Sequence, residues 1–407
     1  MGDFAGHGPG DREYRRLLVA LFFAGVATFA QLYSTQAVLP FIATTFDVAP
    51  ATAALTVSVT TLGLAGSVIG WSFVADRIGR VRAMTVGILA ATTIGLLAPL
   101  APTLEVLLTA RLLEGVALGA VPAIALAYLA EEVTPAHTAS AAGSYIAGTT
   151  IGGLTGRLVA GPFGDLGDWH VGVFAVAVVC AASAVLFLRL IPAARGFVPA
   201  PPSRGAGRNL ARRLGINLRD RGQMALYLQG FLLMGGFVAV YNYLGFRLVA
   251  EPFALPLWIV SSLFLAYLAG TVASPWAGRL AARFGRLPVL LTSLGVMAAG
   301  IATTLSTQLW LVVAGLLVLT AGFFAAHAVA SGWAPARARP EARAQAASLY
   351  YLGYYGGSSL FGWALGFAYD RQGWGGVALG VLGMIAVAAL ATGWLRERPV
   401  IHGDDGA

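Results

Sequence analysis

Twelve apolar runs alternate along the chain with short polar breaks, at approximately 17–42, 51–74, 83–101, 104–130, 138–162, 171–192, 223–248, 255–280, 288–305, 308–334, 343–368 and 374–395. A run of roughly 20 apolar residues predicts a helix that crosses a bilayer. The Pro and Gly inside many runs fit that reading, because neighbouring helices can satisfy the backbone groups they free. The pattern therefore predicts an all-α membrane protein. Its only long polar break, roughly 193–222, falls at the midpoint. That break divides the chain into an N-terminal six-helix half (1–192), a linker (193–222) and a C-terminal six-helix half with a tail (223–407).

The breaks alternate in charge. Arg12, Arg15 and Arg16, the turn after the second run, the linker, the turn after the eighth run, Arg337, Arg339 and Arg343, and Arg396 and Arg398 share one side. The other side carries Asp47, Glu105, Asp165, Asp168, Glu251 and Asp370. Basic loops stay in the cytoplasm, so both termini and the linker are predicted to be cytoplasmic.

Two of the basic breaks are copies of each other. Asp76-Arg77-Ile78-Gly79-Arg80 joins the second and third runs, and Ala282-Arg283-Phe284-Gly285-Arg286 joins the eighth and ninth. At this offset of 206 positions Pro50 also falls on Pro256. Gly79 can take the left-handed backbone that a short helix–helix turn needs. The acid Asp76 has Ala282 as its counterpart, so the sequence predicts a duplicated membrane domain with one polarised copy. The halves also end alike, with Asp165 and Trp169 in the first and Asp370 and Trp374 in the second.

Composition narrows the function classes. Hydrophobic residues make up 58% and charged residues 11%, which excludes disorder and a wet-surfaced soluble enzyme. The net charge of +8 comes from 26 arginines without a lysine. Because 22 of those arginines lie on one face of the topology, the basicity reads as membrane orientation and gives no reason to expect a nucleic-acid partner. One cysteine, Cys180, excludes a disulfide within the chain; it reads as helix filling. The N-terminal run continues without a cleavage signal and is expected to stay as the first span. No P-loop, HExxH or Gly-x-Ser-x-Gly pattern is present, so no cofactor or metal is expected, and the remaining class is a carrier driven by a gradient.

Ionisable groups inside spans are functional candidates by default. Arg111 and Glu114 are three residues apart in the fourth run and share a helix face. By helix rise Glu114 lies roughly 15 Å deep. There, loss of water favours the neutral carboxyl and the guanidinium favours the carboxylate. Two readings stay open, a proton carrier and a static pair. Arg157 in the fifth run lies at a similar depth and has three readings: an anion-binding group, a barrier to cations, or a brace reaching Asp165. Gly148, Gly152 and Gly156 form a smooth ridge suited to close helix approach, read here as a sliding or rocking contact. Gln31, Tyr33, Gln36, Tyr241, Asn242, His327, Tyr350 and Tyr354 are the candidates for lining a central cavity, and His327 and Tyr350 share a depth that lets them meet. The rival to transport, an intramembrane hydrolase, would have to start from His327 and a serine.

These motifs resemble the major facilitator superfamily over nearly the whole chain. Its loop signature between helices two and three, G-x-L-a-D-r-x-G-r-[K/R], is matched by Asp76, Arg77, Gly79 and Arg80, with Ser72 and Val81 departing from it. The resemblance implies that Asp76 gates the cytoplasmic side by pairing across the halves. Arg111 and Gly115 match the fourth-helix signature R-x-x-Q-G, with Glu114 in the glutamine position, which implies proton coupling. The run from Gly148 to Arg157 approaches the antiporter signature G-x-x-x-G-P-x-x-G-G, with Gly153 and Arg157 departing. Taken together, the chain is similar to a drug/proton antiporter-like bacterial inner-membrane exporter of a drug or arabinose efflux subgroup. The implied partners are protons, a small hydrophobic or zwitterionic substrate and the lipid bilayer, with the monomer as the working unit. A sugar or metabolite exporter and a proton-coupled importer are the alternatives.

Overall fold

The computed structural model describes residues 4–166, 168–197 and 206–395. The middle of the linker and the predicted tail with Arg396 and Arg398 lie outside the described residues. Ten helical segments are long and apolar enough to cross a membrane. They are α1 (Arg12–Thr45), α2 (Pro50–Ile78), α3 (Arg80–Leu100), α4 (Leu104–Glu132), α6 (Trp169–Leu190), α7 (Arg221–Val249), α8 (Leu257–Phe284), α9 (Arg286–Thr303), α10 (Leu309–Arg337) and a final segment, Pro340–Leu395. That last segment holds two helices, because Gly373 has φ 60° and ψ −149° inside it; we term them α11 (343–372) and α12 (374–391). Helix α5 (Thr138–Gly164) is long enough but diluted by glycine, serine and threonine. The twelve predicted spans are thus present, within a few residues of their expected limits. A short helix, Ala206–Leu218, occupies the linker and is held to the second half by Asn217 Nδ2 donating to the Ala342 carbonyl at 3.0 Å.

The two copied turns share one backbone. Gly79 has φ 93° and ψ 152°, and Gly285 φ 89° and ψ 156°. That region is open essentially to glycine alone, which is why a helix stops and another starts within one residue at both places.

Glycine also sets the packing of α5, and the structure identifies the helix it meets. A Cβ on Gly148, Gly152 or Gly156 would lie 2.2–2.6 Å from the carbonyl oxygens of Phe22, Val26 and Ala30 on α1. The ridge is therefore filled by a helix of its own half, with backbones in contact. Small-residue spacing encodes close approach but carries no information about which helix approaches; here it is α1.

Burial along the helices shows where the halves meet. Helix α2 is buried at most positions from Ala51 to Ala65, after which only Ala75 is buried. In α11 most buried positions lie at Gly357–Ser359, Gly362 and Gly366, and only Ala346 and Tyr350 are buried nearer its arginine-rich end. In α8, Leu257, Val260 and Ser261 are buried, whereas beyond Leu268 only Gly270 and Ala277 are. The seam between the halves is closed at the end remote from the arginines and parted at the basic end.

Candidate functional site

Helix α1 breaks inside the bundle, and the site is built around the break. Its first helix ends at Leu32, a 3₁₀ turn runs over Gln36–Val38, and Leu39–Thr45 completes the crossing. A helix that stops in an apolar interior leaves carbonyls without donors. Arg111 supplies them: Nη1 donates to the Gln31 carbonyl (3.1 Å) and Ser34 Oγ (3.2 Å), Nη2 to the Leu32 carbonyl (2.8 Å), and Nε to the Thr56 carbonyl on α2 (3.2 Å). The same guanidinium bonds Glu114 Oε2, and both side chains are fully buried. The predicted pair exists, and Arg111 does a second job as the cap of an interrupted helix.

The other carboxylate oxygen, Glu114 Oε1, has no hydrogen-bond partner among the described residues, nor do either of the side-chain polar atoms of Gln31. Gly95 makes room for Gln31 and Glu114, since a Cβ there would lie 1.7 Å from Gln31 Nε2 and 2.8 Å from Glu114 Oε1. Gln31 also lines a small cavity with Ala27, Thr28, Ile88, Ala91, Thr92, Leu118 and Cys180. Gln31, expected in a central cavity, thus sits within the first half and away from the seam.

Arg157 lies on the seam. Its Nε donates to Gln36 Oε1 at 2.6 Å, Nη1 to the Gly153 carbonyl at 2.7 Å, and Nη2 to Tyr267 Oη of the other half at 3.2 Å. The rings of Tyr33, Tyr267 and Phe264 lie 3.9, 4.6 and 4.9 Å from its guanidinium carbon. Gln36 Nε2 in turn donates to Asn242 Oδ1 at 2.7 Å, and Asn242 Nδ2 to the Gly362 carbonyl at 3.0 Å. Gln36 and Asn242 are 206 positions apart, the offset of the internal repeat. They are symmetry counterparts that bond each other across the pseudo-twofold axis.

Three more bonds close the same end. Asp165 accepts from the amides of Leu257 (3.0 Å) and Trp258 (2.7 Å), the first residues of α8. Ser359 Oγ donates to the Ser58 carbonyl at 2.8 Å. Asp165 therefore serves a helix of the opposite half, and the expected brace from Arg157 to Asp165 does not form.

The aromatic candidates form a second group toward the parted end. His327 Nδ1 meets Tyr350 Oη at 3.0 Å, as their matched depth predicted, and the Tyr354 ring lies 4.8 Å from the imidazole. Tyr241 is tied to Thr320 (2.8 Å) and packs on Phe237, Phe264 and Tyr267. At the basic end, Asp76 pairs with Arg80 (2.6 Å), which also grips Glu131 of α4 (2.8 Å); Arg77 is exposed. Among the described residues Asp76 makes no bond to the other half in this conformation, in which the basic ends are apart. Sequence reasoning missed three features: the broken α1, Glu131 as partner of Arg80, and Asp165 as a cap. The first was signalled by the polar stretch from Tyr33 to Gln36 followed by Pro40.

Fold and seam together define a multi-pass membrane transport protein. The chain belongs to the Major Facilitator Superfamily, whose profile matches residues 21–271 and 257–406. It is 40% identical to the inner membrane transport protein YnfM of Escherichia coli (strain K12), over 96% of this chain and 92% of that protein. It is 36% identical to the uncharacterized MFS-type transporter YybF of Bacillus subtilis (strain 168), over 95% and 94%. Among solved structures it superimposes on a bacterial homologue of the human lysosomal transporter Spinster in an inward-facing, unoccupied conformation, with TM-score 0.76, 15% identity and 95% and 96% coverage. The nucleoside transporter NupG gives TM-score 0.73 at 15% identity, over 95% and 100%.

Proposed function

We propose that the protein is a proton-coupled exporter of a small molecule in the bacterial inner membrane, working by alternating access between bodies 1–192 and 223–407 joined by the linker 193–222. The observation that carries this reading is the seam: polar bonds between the halves gather at one end, while burial is lost at the other. With the basic end in the cytoplasm, this is the inward-open state. The substrate enters past His327, Tyr350 and Tyr354 toward the floor made by Tyr33, Gln36, Arg157, Tyr241 and Asn242.

Glu114 is the proton-carrying group. One of its oxygens is held by Arg111 and the other has no partner, so a proton on the second oxygen would relieve an unsatisfied buried acceptor. Arg111 modulates that step, and Arg157 adds positive field from the seam. When the basic ends close, the Asp76 turn, with Arg77, Gly79 and Arg80, meets the other half and holds the outward-open state.

The test uses single cysteines. Gly66→Cys probes the parted end, where a side chain at Gly66 would meet nothing within 4 Å, and Ser261→Cys probes the closed end, where Ser261 is buried. In vesicles, imposing a pH gradient should lower maleimide labelling at residue 66 and raise it at residue 261, and Glu114→Gln should abolish both responses. Labelling that rises or falls together at both sites would sink alternating access. Reciprocal labelling that persists in Glu114→Gln would remove the proton role from Glu114 and move it to His327.

A further inference from the structure

Of the buried charges, Arg111 has Glu114 as counter-charge. Glu132 has only the amides of Arg195 and Gly196 on Oε1, and its Oε2 has no partner among the described residues. Arg157 is the buried cation without a described counter-charge. It is 1% exposed, cannot shed its proton in a protein, and no described carboxylate comes within salt-bridge distance of it. Its acceptors are an amide oxygen, a backbone carbonyl and a phenol, all neutral. A buried charge left without a counter-charge is expensive, and a brace between neutral groups would be cheaper with a neutral side chain. The halves end in register at an offset of 205, with Asp165 on Asp370 and Trp169 on Trp374, which puts Gly362 at the position of Arg157, so the duplicated fold does not require a cation there.

A guanidinium has five N–H groups, and three make well-formed bonds to Gln36, Gly153 and Tyr267. The other two, one on each terminal nitrogen, make no well-formed bond to a described residue, with the Tyr33 hydroxyl the near neighbour. Two donors on one planar group match a single carboxylate. Phosphate, with close to two negative charges, would leave a charge unmatched beside a lone arginine. The faces of Tyr33, Phe264 and Tyr267 around the cation offer an apolar wall for the body of such a ligand.

We infer that Arg157 is the recognition site for the carboxylate of a small organic acid or zwitterion, held between Arg157 and the aromatic wall of the seam. This rests on the reading of the seam as the substrate path.

The experiment uses the full chain in detergent micelles at neutral pH, with benzoate, benzyl alcohol and inorganic phosphate as probes of tryptophan fluorescence and thermal midpoint. Benzoate should bind saturably, at least about tenfold tighter than either control. Arg157→Gln should abolish that preference, while its thermal midpoint without ligand should equal or exceed that of the wild type. If Arg157→Gln does not fold, Tyr33→Leu serves instead, and should weaken benzoate several-fold while leaving benzyl alcohol weak. Benzoate binding no tighter than benzyl alcohol, or unchanged by Arg157→Gln or Tyr33→Leu, overturns the assignment. Binding in micelles needs no transport, so this outcome is independent of the reciprocal labelling that tests alternating access.

Discussion

The turns at Gly79 and Gly285 have one backbone and two electrostatic designs. In the first, Arg80 joins Asp76 to Glu131 and binds the α2–α3 turn to the end of α4. In the second, the position of Asp76 is Ala282, and Arg286 lies 6.0 Å from the face of Trp333 without an acid among its described contacts. At the end of α10, Arg337 instead pairs with Asp220 at the head of α7 (3.2 Å). Steric rules on the glycine backbone are shared by both turns. Charge partners are not bound by those rules, and here the acid has moved from the turn to the linker end. A duplicated fold thus keeps its geometry at the hinge and differs between copies in the bonds that a gate would use.

Breaking the shared part should cost the most. Gly79→Ala and Gly285→Ala should each destabilise by about 1–3 kcal/mol, because both force a side chain into glycine-only backbone. Neither Cβ would meet anything closer than 3.8 Å, so the penalty is one of backbone and should be equal at the two sites. Urea unfolding of each variant, followed by tryptophan fluorescence, checks this; a penalty at one site only would end the equivalence.

The charges should then separate the copies. Arg80→Ala should lose about 1–2 kcal/mol, because it strands the partly buried Glu131, whereas Arg286→Ala should lose under about 0.5 kcal/mol with its cation–π contact. The same unfolding measurement applies, and equal losses would mean that the Asp76–Arg80–Glu131 network adds nothing.

A smaller effect is expected from pH. Burial pushes the Asp220 carboxyl up, but the Gln223 amide, the Arg337 guanidinium and the Gly222 amide outweigh it and hold the group below the usual carboxylate range. A carboxylate held low in the folded state adds stability above its unfolded value, about 3.9, and loses it as pH falls through the folded one. Asp220→Asn should therefore flatten the acid side of the melting-temperature profile. Wild-type steepness in that variant would show that another group carries the acid dependence.

The smallest expected effect sharpens the comparison by repairing it. Ala282→Asp places an acid four residues before Arg286 and should gain about 0.3–0.5 kcal/mol. No gain in thermal midpoint would show that the second turn lacks the geometry to pair.

How much of this was legible in the sequence depended on range. Hydropathy, the arginine bias and the 206-residue offset carried the twelve helices and both turns, because each is written in local spacing. Spacing also paired Arg111 with Glu114, and matched depth joined His327 to Tyr350. Partners on other helices were not legible. Arg157 bonds Gln36 and Tyr267, 121 and 110 residues away, and nothing in the chain between them encodes that choice. The Gln36–Asn242 bond was available from the repeat alone, since a residue near a twofold axis must meet its own counterpart. The glycine ridge on α5 shows the opposite failure: its meaning was plain and its partner was not.

The cap that Asp165 gives to α8 has a kinetic side. Two amides at the head of a helix in one body depend on a carboxylate carried by the other, so every outward opening strips a helix of its cap and every closure restores it. A cap is worth about 0.5–2 kcal/mol, which is one to a few multiples of thermal energy. A fastening of that strength biases the resting state without trapping it, and it resets itself, since the exposed amides and the carboxylate both remain in place to find each other again. On the proposed alternating-access cycle, such a fastening would keep the far end shut between openings while leaving the opening step within reach of a modest input of free energy.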